Sequence, residues 1–119
     1  GGGSVPVGVG SVGPIWLDGH AVREVTAAVG EALTNVSKHA GAGRAFVFAE
    51  EQDAEVVVTV RDDGCGFEFD AGKLAAGNKF GLLRSMKGRI EELGGHMEIE
   101  TAPGMGTEVT FRFPRDARP

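Results

Sequence analysis

A chain of 119 residues that is 41% apolar and 24% charged fits one compact domain with a core of its own. Its net charge of −5 argues against a broad nucleic-acid or acidic-membrane surface, while leaving room for a local basic pocket for phosphates. Cys65 is the only cysteine, which rules out an internal disulfide and fits a reducing compartment. No apolar run approaches the ~20 residues of a membrane helix, and Gly1-Gly2-Gly3-Ser4 reads as linker, not as a secretory signal. The 20 glycines are about twice the usual share. Beyond the N-terminal patch they gather at Gly64 and Gly66, at Gly72, Gly77 and Gly81, at Gly94 and Gly95, and at Gly104 and Gly106. Glycines placed between periodic segments mark tight loops where backbone comes close to something.

Residues 5–16 alternate weakly, and an edge strand is expected near Val5–Val9. Asp18 can cap a helix reaching about His39, whose Val22, Val25, Ala28, Val29, Ala32, Leu33 and Val36 recur at spacings of three and four. Gly41 and Gly43 stop it. "AFVFA" at Ala45–Ala49 and the β-branched run Val56–Arg61 are predicted strands, joined by a polar hairpin through Glu50–Asp53. Residues 64–80 lack periodicity and read as a mobile loop. A second helix is expected from about Phe80 to Leu93, carrying Leu82, Leu83, Met86, Ile90 and Leu93 and ended by Gly94-Gly95. Met97–Thr101 and Glu108–Phe113 are two further strands, turned by Pro103-Gly104-Met105-Gly106 and closed by Pro114. This order suggests an α+β fold: a two-layer sandwich with a mostly antiparallel mixed sheet covered on one face by helices.

Four clusters can carry chemistry. In Glu31-Ala32-Leu33-Thr34-Asn35-Val36-Ser37-Lys38-His39, helical spacing puts Glu31, Asn35, Lys38 and His39 on one stripe and leaves Leu33 and Val36 to face the sheet. An amide oxygen from Asn35 suits magnesium, which takes hard oxygen ligands and keeps several waters. Glu31, one turn earlier, suits a general base. The same stripe also reads as a solvated helix face held by i,i+4 pairs.

Asp62-Asp63-Gly64-Cys65-Gly66-Phe67 follows a strand, and a carboxylate there can accept the exocyclic amine of adenine. An ordinary Asx turn is the alternative. Cys65 reads as a small loop residue in preference to a redox sensor, since no cation adjoins it in sequence to favour a thiolate. Gly77-Asn78-Lys79-Phe80-Gly81-Leu82 opens a helix, where free amides and the positive dipole end suit an anion; a plain helix start reads the same way. Gly104-Met105-Gly106-Thr107 precedes the last strand and reads equally as a hairpin turn.

The order of the clusters narrows the choice. "EALTNVSKHA", then "VTVRDDGCGF", then "FGLLRSMKGRIEELGGHMEIETAPGMGTEVTFRFP" closely resembles the GHKL (Bergerat-fold) ATPases, and among them the histidine kinases partnered with NarL-type response regulators. The resemblance covers residues 20–114. It implies that Glu31 and Asn35 belong to an asparagine box, with Asn35 on the metal and Glu31 assisting the chemistry, and that Lys38 and His39 lie beside the phosphates. It makes Asp62 the adenine-reading aspartate of a first glycine box with Gly64 and Gly66, Gly81 and Leu82 part of a second, and Gly106 and Thr107 part of the last. Residues 67–80 would be a short ATP lid. Lys79 departs from the pattern, which often has a glycine two positions before Gly81.

The implied function is transfer of the γ-phosphoryl group of ATP, with Mg2+, to a histidine on a separate dimerisation domain of the same kinase, for relay to a NarL-type response regulator. His20, His39 and His96 lack the context of that acceptor histidine, so the chain is expected to begin after the helical hairpin bearing it. The expected organisation is a glycine-rich segment or edge strand at 1–14, the catalytic domain at 15–114 and a tail at 115–119. A cytoplasmic position is implied, either free or as the cytoplasmic part of a membrane-anchored kinase, with no nucleic-acid or membrane contact by the domain itself. Two alternatives remain open: a serine kinase of the anti-sigma-factor type, and a pseudo-enzyme that only docks to partners.

Overall fold

A computed structural model describes residues 7–11, 15, 17–39, 44–64 and 81–115, with the backbone alone at 7, 35–39 and 82. In chain order these form β1 (Val7–Ser11), α1 (Gly19–His39), β2 (Ala45–Gln52), β3 (Glu55–Asp62), α2 (Gly81–Glu92), β4 (His96–Thr101) and β5 (Thr107–Pro114). The five strands make one sheet in the order β1-β2-β3-β5-β4. Only the β1–β2 pairing is parallel; the others are antiparallel. This is the mixed, mostly antiparallel sheet that the sequence predicts.

Strand alternation decides which side chains meet the helices. Val56, Val58 and Val60 of β3 stand opposite Phe113, Phe111 and Val109 of β5 on the helix-bearing face. Val47 of β2 joins them, and Met97 and Ile99 of β4 pack partly buried beside them. On this face lie Ala21, Ala28 and Ala32 of α1 and Leu83, Met86 and Ile90 of α2, followed by Leu93. Phe111 and Phe113 are fully buried and bulky; burying each such side chain stabilises by roughly 1.5–3 kcal/mol. The other face carries charged pairs, among them Arg61–Glu108 at 3.0 Å and Arg112–Glu98 at 2.7 Å.

The helix ends are set by the residues the sequence points to. The Asp18 carboxylate accepts from the Ala21 amide at 2.8 Å, a cap that satisfies an otherwise orphaned donor. At the far end of α2, the Gly94 amide donates to the Glu91 carbonyl and the Gly95 amide to that of Ile90, a Schellman arrangement that requires the left-handed φ of +82° at Gly94.

Three expectations change. Val22 is 47% exposed and does not join the core; Ala21, one residue earlier, does. The first strand runs on to Ser11, past the expected end at Val9. The hairpin is shorter than expected: Glu50, Glu51 and Gln52 are in the ladder, and only Asp53-Ala54 turns, with both φ angles positive. Such a two-residue turn twists in the sense of the strands, so it lets the ladder run to its end. The Ala54 carbonyl then accepts from the Arg115 amide at 2.8 Å, tying the residue after β5 to the hairpin. The loop expected over residues 64–80 lies outside the described residues beyond Gly64.

Candidate functional site

The first convergence is at one end of the sheet, where β3 stops, β5 begins and β4 stops. Asp62 and Thr107, from motifs far apart in sequence, are directly opposed across β3 and β5, and Thr101 of β4 is opposed to Thr107. Continuing the inward alternation of Val56, Val58 and Val60, Asp62 is 8% exposed. Its Oδ1 accepts from the Gly64 amide at 2.8 Å, which fixes the carboxylate and places Gly64 beside it. The Thr101 hydroxyl donates to the Gly106 carbonyl at 3.0 Å and lies 2.9 Å from the Thr107 hydroxyl. Gly106 is buried at φ +72°, and a Cβ there would overlap the Asp62 carbonyl oxygen. Only glycine lets the β4–β5 turn pass so close to β3. An open cleft of about 480 Å³ adjoins this rim; it is lined by Asp62, Thr101, Met105 and Thr107, and also by Asp63 and by Arg61 and Glu108, whose ion pair belongs to the face away from the helices.

Asp63 has a different task. Its Oδ1 accepts from the Arg44 amide at 2.9 Å, and its own amide donates to the Arg44 carbonyl at 3.3 Å. This clasp holds the start of β2 against the end of β3. The neighbouring acids therefore differ: both line the cleft, but Asp62 is buried there, whereas Asp63 is exposed and fastens two strands.

The second convergence joins the helices. Arg89 of α2 donates from Nε to Glu31 Oε1 at 2.7 Å and from Nη1 to Glu24 Oε1 at 3.0 Å. The two glutamates, seven residues apart, lie two turns apart on one side of α1. Their side chains are 19% and 15% exposed, against 36% for Arg89. The bond to Glu31, then its charge, and the lesser contribution of Glu24 push the guanidinium above its ordinary range despite partial desolvation. Arg89 also lies in the last turn of α2, where the helix dipole favours a cation.

Of the remaining sequence-predicted site residues, Asn35, Lys38 and His39 continue α1 beyond Glu31, with Asn35 one turn on. Gly81 opens α2 with Leu82 behind it, and Gly81 is exposed. Gly66 and Lys79 lie outside the described residues. Sequence reasoning missed Arg89, Glu24 and Thr101. Thr101 carries a signal only through pairing, since its hydroxyl gains meaning from facing Thr107. Arg89 directly precedes Ile90 of the buried stripe, which marks it as a flanking residue but not its partner.

The sequence profile of the histidine kinase-, DNA gyrase B- and HSP90-like ATPases matches residues 21–117. The chain belongs to this ATPase family. Nucleotide binding comes with that membership, and the sheet end where Asp62 meets Thr107 lies inside the matched region. Among the family's sensor kinases, this ATPase domain is 38% identical over 86 residues to the Brevibacillus brevis signal transduction histidine-protein kinase/phosphatase DegS, a match covering 72% of this chain and 21% of that protein. It is 34% identical over 83 residues to the nitrate/nitrite sensor protein NarX of Escherichia coli K12, covering 70% and 13%. The chain thus spans about a fifth or less of these relatives. In three dimensions it is similar to the Erythrobacter litoralis EL346 blue-light activated histidine kinase, with a TM-score of 0.76, 26% identity, and coverage of 99% of this chain and 37% of that one. Among the described residues, no helix of the ATPase domain is long and apolar enough to cross a membrane.

Proposed function

We propose that this chain is the ATP-binding catalytic domain of a sensor histidine kinase. It presents ATP so that the γ-phosphoryl group passes to a histidine on a separate dimerisation and phosphoacceptor domain, and from there to a NarL-type response regulator. The observation that carries the reading is the opposition of Asp62 and Thr107 at the cleft, held by the close approach of Gly106 to β3. A buried carboxylate with one oxygen fixed by the Gly64 amide is suited to accept the amine of adenine, whereas guanine offers a carbonyl there. The similarity to DegS and NarX supports a histidine as acceptor and a NarL-type regulator downstream. ATP as substrate supports a cytoplasmic position for the domain.

Phosphoryl transfer of this kind rests on positioning and charge neutralisation. Asn35 would suit Mg2+: its amide oxygen is a hard ligand, of the kind taken by an ion that otherwise keeps waters and phosphate oxygens. Bound there, the ion would neutralise phosphate charge. Glu31, one helical turn before Asn35, is the group we assign to the proton of the attacking histidine. Lys38 and His39, on the last turn of α1, supply positive or hydrogen-bonding character for phosphates. Gly81 and Leu82 begin α2, where backbone amides suit an anion.

Calorimetric titration of the chain with ATP and GTP, with and without magnesium, tests this reading. Binding of ATP over GTP is expected, with Asn35→Ala weakening the magnesium-dependent part. No binding at millimolar ATP would indicate a docking module instead.

A further inference from the structure

We propose that Arg89 is a positioning residue for phosphoryl transfer: its guanidinium aims the Glu31 carboxylate and locks α1 to α2. The inference rests on the reading of Glu31 as the group that handles the proton of the attacking histidine.

The geometry carries it in three ways. First, Arg89 uses two different nitrogens for two carboxylates two turns apart on α1, at 2.7 Å to Glu31 and 3.0 Å to Glu24. One ion pair would tie the helices together. Two, made through a rigid planar fork, also fix the rotation of the guanidinium about its own stem and hence the direction from which Glu31 is held. Second, the shorter bond goes to Glu31 and engages Oε1, while among the described residues no bond is made to Glu31 Oε2. By gripping one oxygen, Arg89 does not itself occupy the second, which a group taking a proton needs as an acceptor. Third, the pair lies between the two helices that bear the candidate boxes. Asn35 is one turn beyond Glu31 on α1, and Gly81 begins α2 eight residues before Arg89, about 12 Å along the axis. A displacement of α2 is therefore transmitted to Glu31 through a short, partly covered charge pair.

A purely structural staple would explain the contacts equally well if transfer were indifferent to Arg89, so the test separates the two. In the full-length kinase that carries this chain, autophosphorylation is followed as kcat and ATP KM for the parent, Arg89→Gln, Arg89→Lys, Glu31→Gln and the Arg89→Gln/Glu31→Gln double variant, with thermal melts for each. Arg89→Gln is expected to lower kcat roughly ten- to a hundredfold, the scale of a misplaced reacting group, with KM nearly unchanged. Arg89→Lys, which keeps the charge without the fork, is expected to recover only part of the loss. In the Glu31→Gln background, removing Arg89 is expected to leave kcat where Glu31→Gln alone put it, because a residue acting through another has nothing left to act on.

Glu24→Gln keeps the Arg89–Glu31 pair but loses one of the two charges that orient the fork, so a kcat loss clearly smaller than that of Glu31→Gln is expected of it even if Arg89→Gln proves too unstable to assay; a loss in Glu24→Gln equal to that in Glu31→Gln would contradict the assignment. If kcat falls independently in the two backgrounds, or falls only in step with the melting temperature, Arg89 is a staple and the inference is wrong. If Glu31→Gln itself leaves kcat unchanged, the role given to Glu31 fails, and the inference with it.

Discussion

Gly106 lies against the carbonyl oxygen of Asp62, so close that a single added methyl group would overlap it. Its φ of +72° adds a second reason for glycine. Gly106→Ala is therefore expected to destabilise the fold by more than the ~1–2 kcal/mol of a left-handed alanine alone, lowering Tm by roughly 8 °C or more. Because the turn must move away from β3, Thr107 should leave its position opposite Asp62, and ATP affinity should fall in the same variant at temperatures where it is folded. Thermal melts and ATP titration check both. A parental Tm with parental affinity would show that the turn has slack.

Asp62 and Asp63 should separate cleanly. Asp62→Asn removes a buried charged acceptor at the cleft; losing a hydrogen bond to a charged group costs roughly 1.5–3 kcal/mol, about ten- to a hundredfold in ATP affinity. Asp63→Asn weakens the clasp on Arg44 at the exposed side of the cleft, so it should lower stability by about 1 kcal/mol or less and reduce ATP affinity less than Asp62→Asn does. Titration of both variants with ATP decides the register of this motif; the reverse pattern would move the base-reading role to Asp63.

The β2–β3 hairpin holds Asp53 at φ 51° and Ala54 at φ 66°. Alanine in that region costs roughly 1–2 kcal/mol, part of which glycine returns as lost chain entropy. Ala54→Gly, which makes the favoured Asp-Gly turn, is expected to raise Tm by roughly 3–6 °C without changing ATP binding. A lowered Tm would mean that the entropy term outweighs the relief of strain.

Much of this architecture was legible in the sequence because burial imposes periods on it. The inward set Val56, Val58, Val60 and then Asp62 follows one strand period, so the same alternation that marks the core also marks which of the two adjacent acids turns inward. The hairpin looks longer in sequence than it is because Glu50, Glu51 and Gln52 have loop-like polarity, while the residue that reveals a tight turn is normally Asn or Gly; Ala54 conceals it. Val22 matched the helical period yet faces outward, since a stripe of spacings three and four fixes the width of an apolar face less well than its direction. The Arg89 pair was not legible at all. Arg84, Lys87 and Arg89 are all cations of α2, and only the packing of α2 on α1 selects the one that reaches Glu31, leaving Lys87 to Glu91 of its own helix.

The most direct test of the account is the chemistry of the phosphorylated product. Full-length kinase bearing this chain is incubated with γ-labelled ATP and magnesium, and the labelled protein is exposed to acid and to base. The account predicts label that is lost in acid and kept in base, as phosphohistidine is, and that disappears in Asn35→Ala and falls in Asp62→Asn. Label that survives acid would identify a serine kinase of the same family and contradict the central claim.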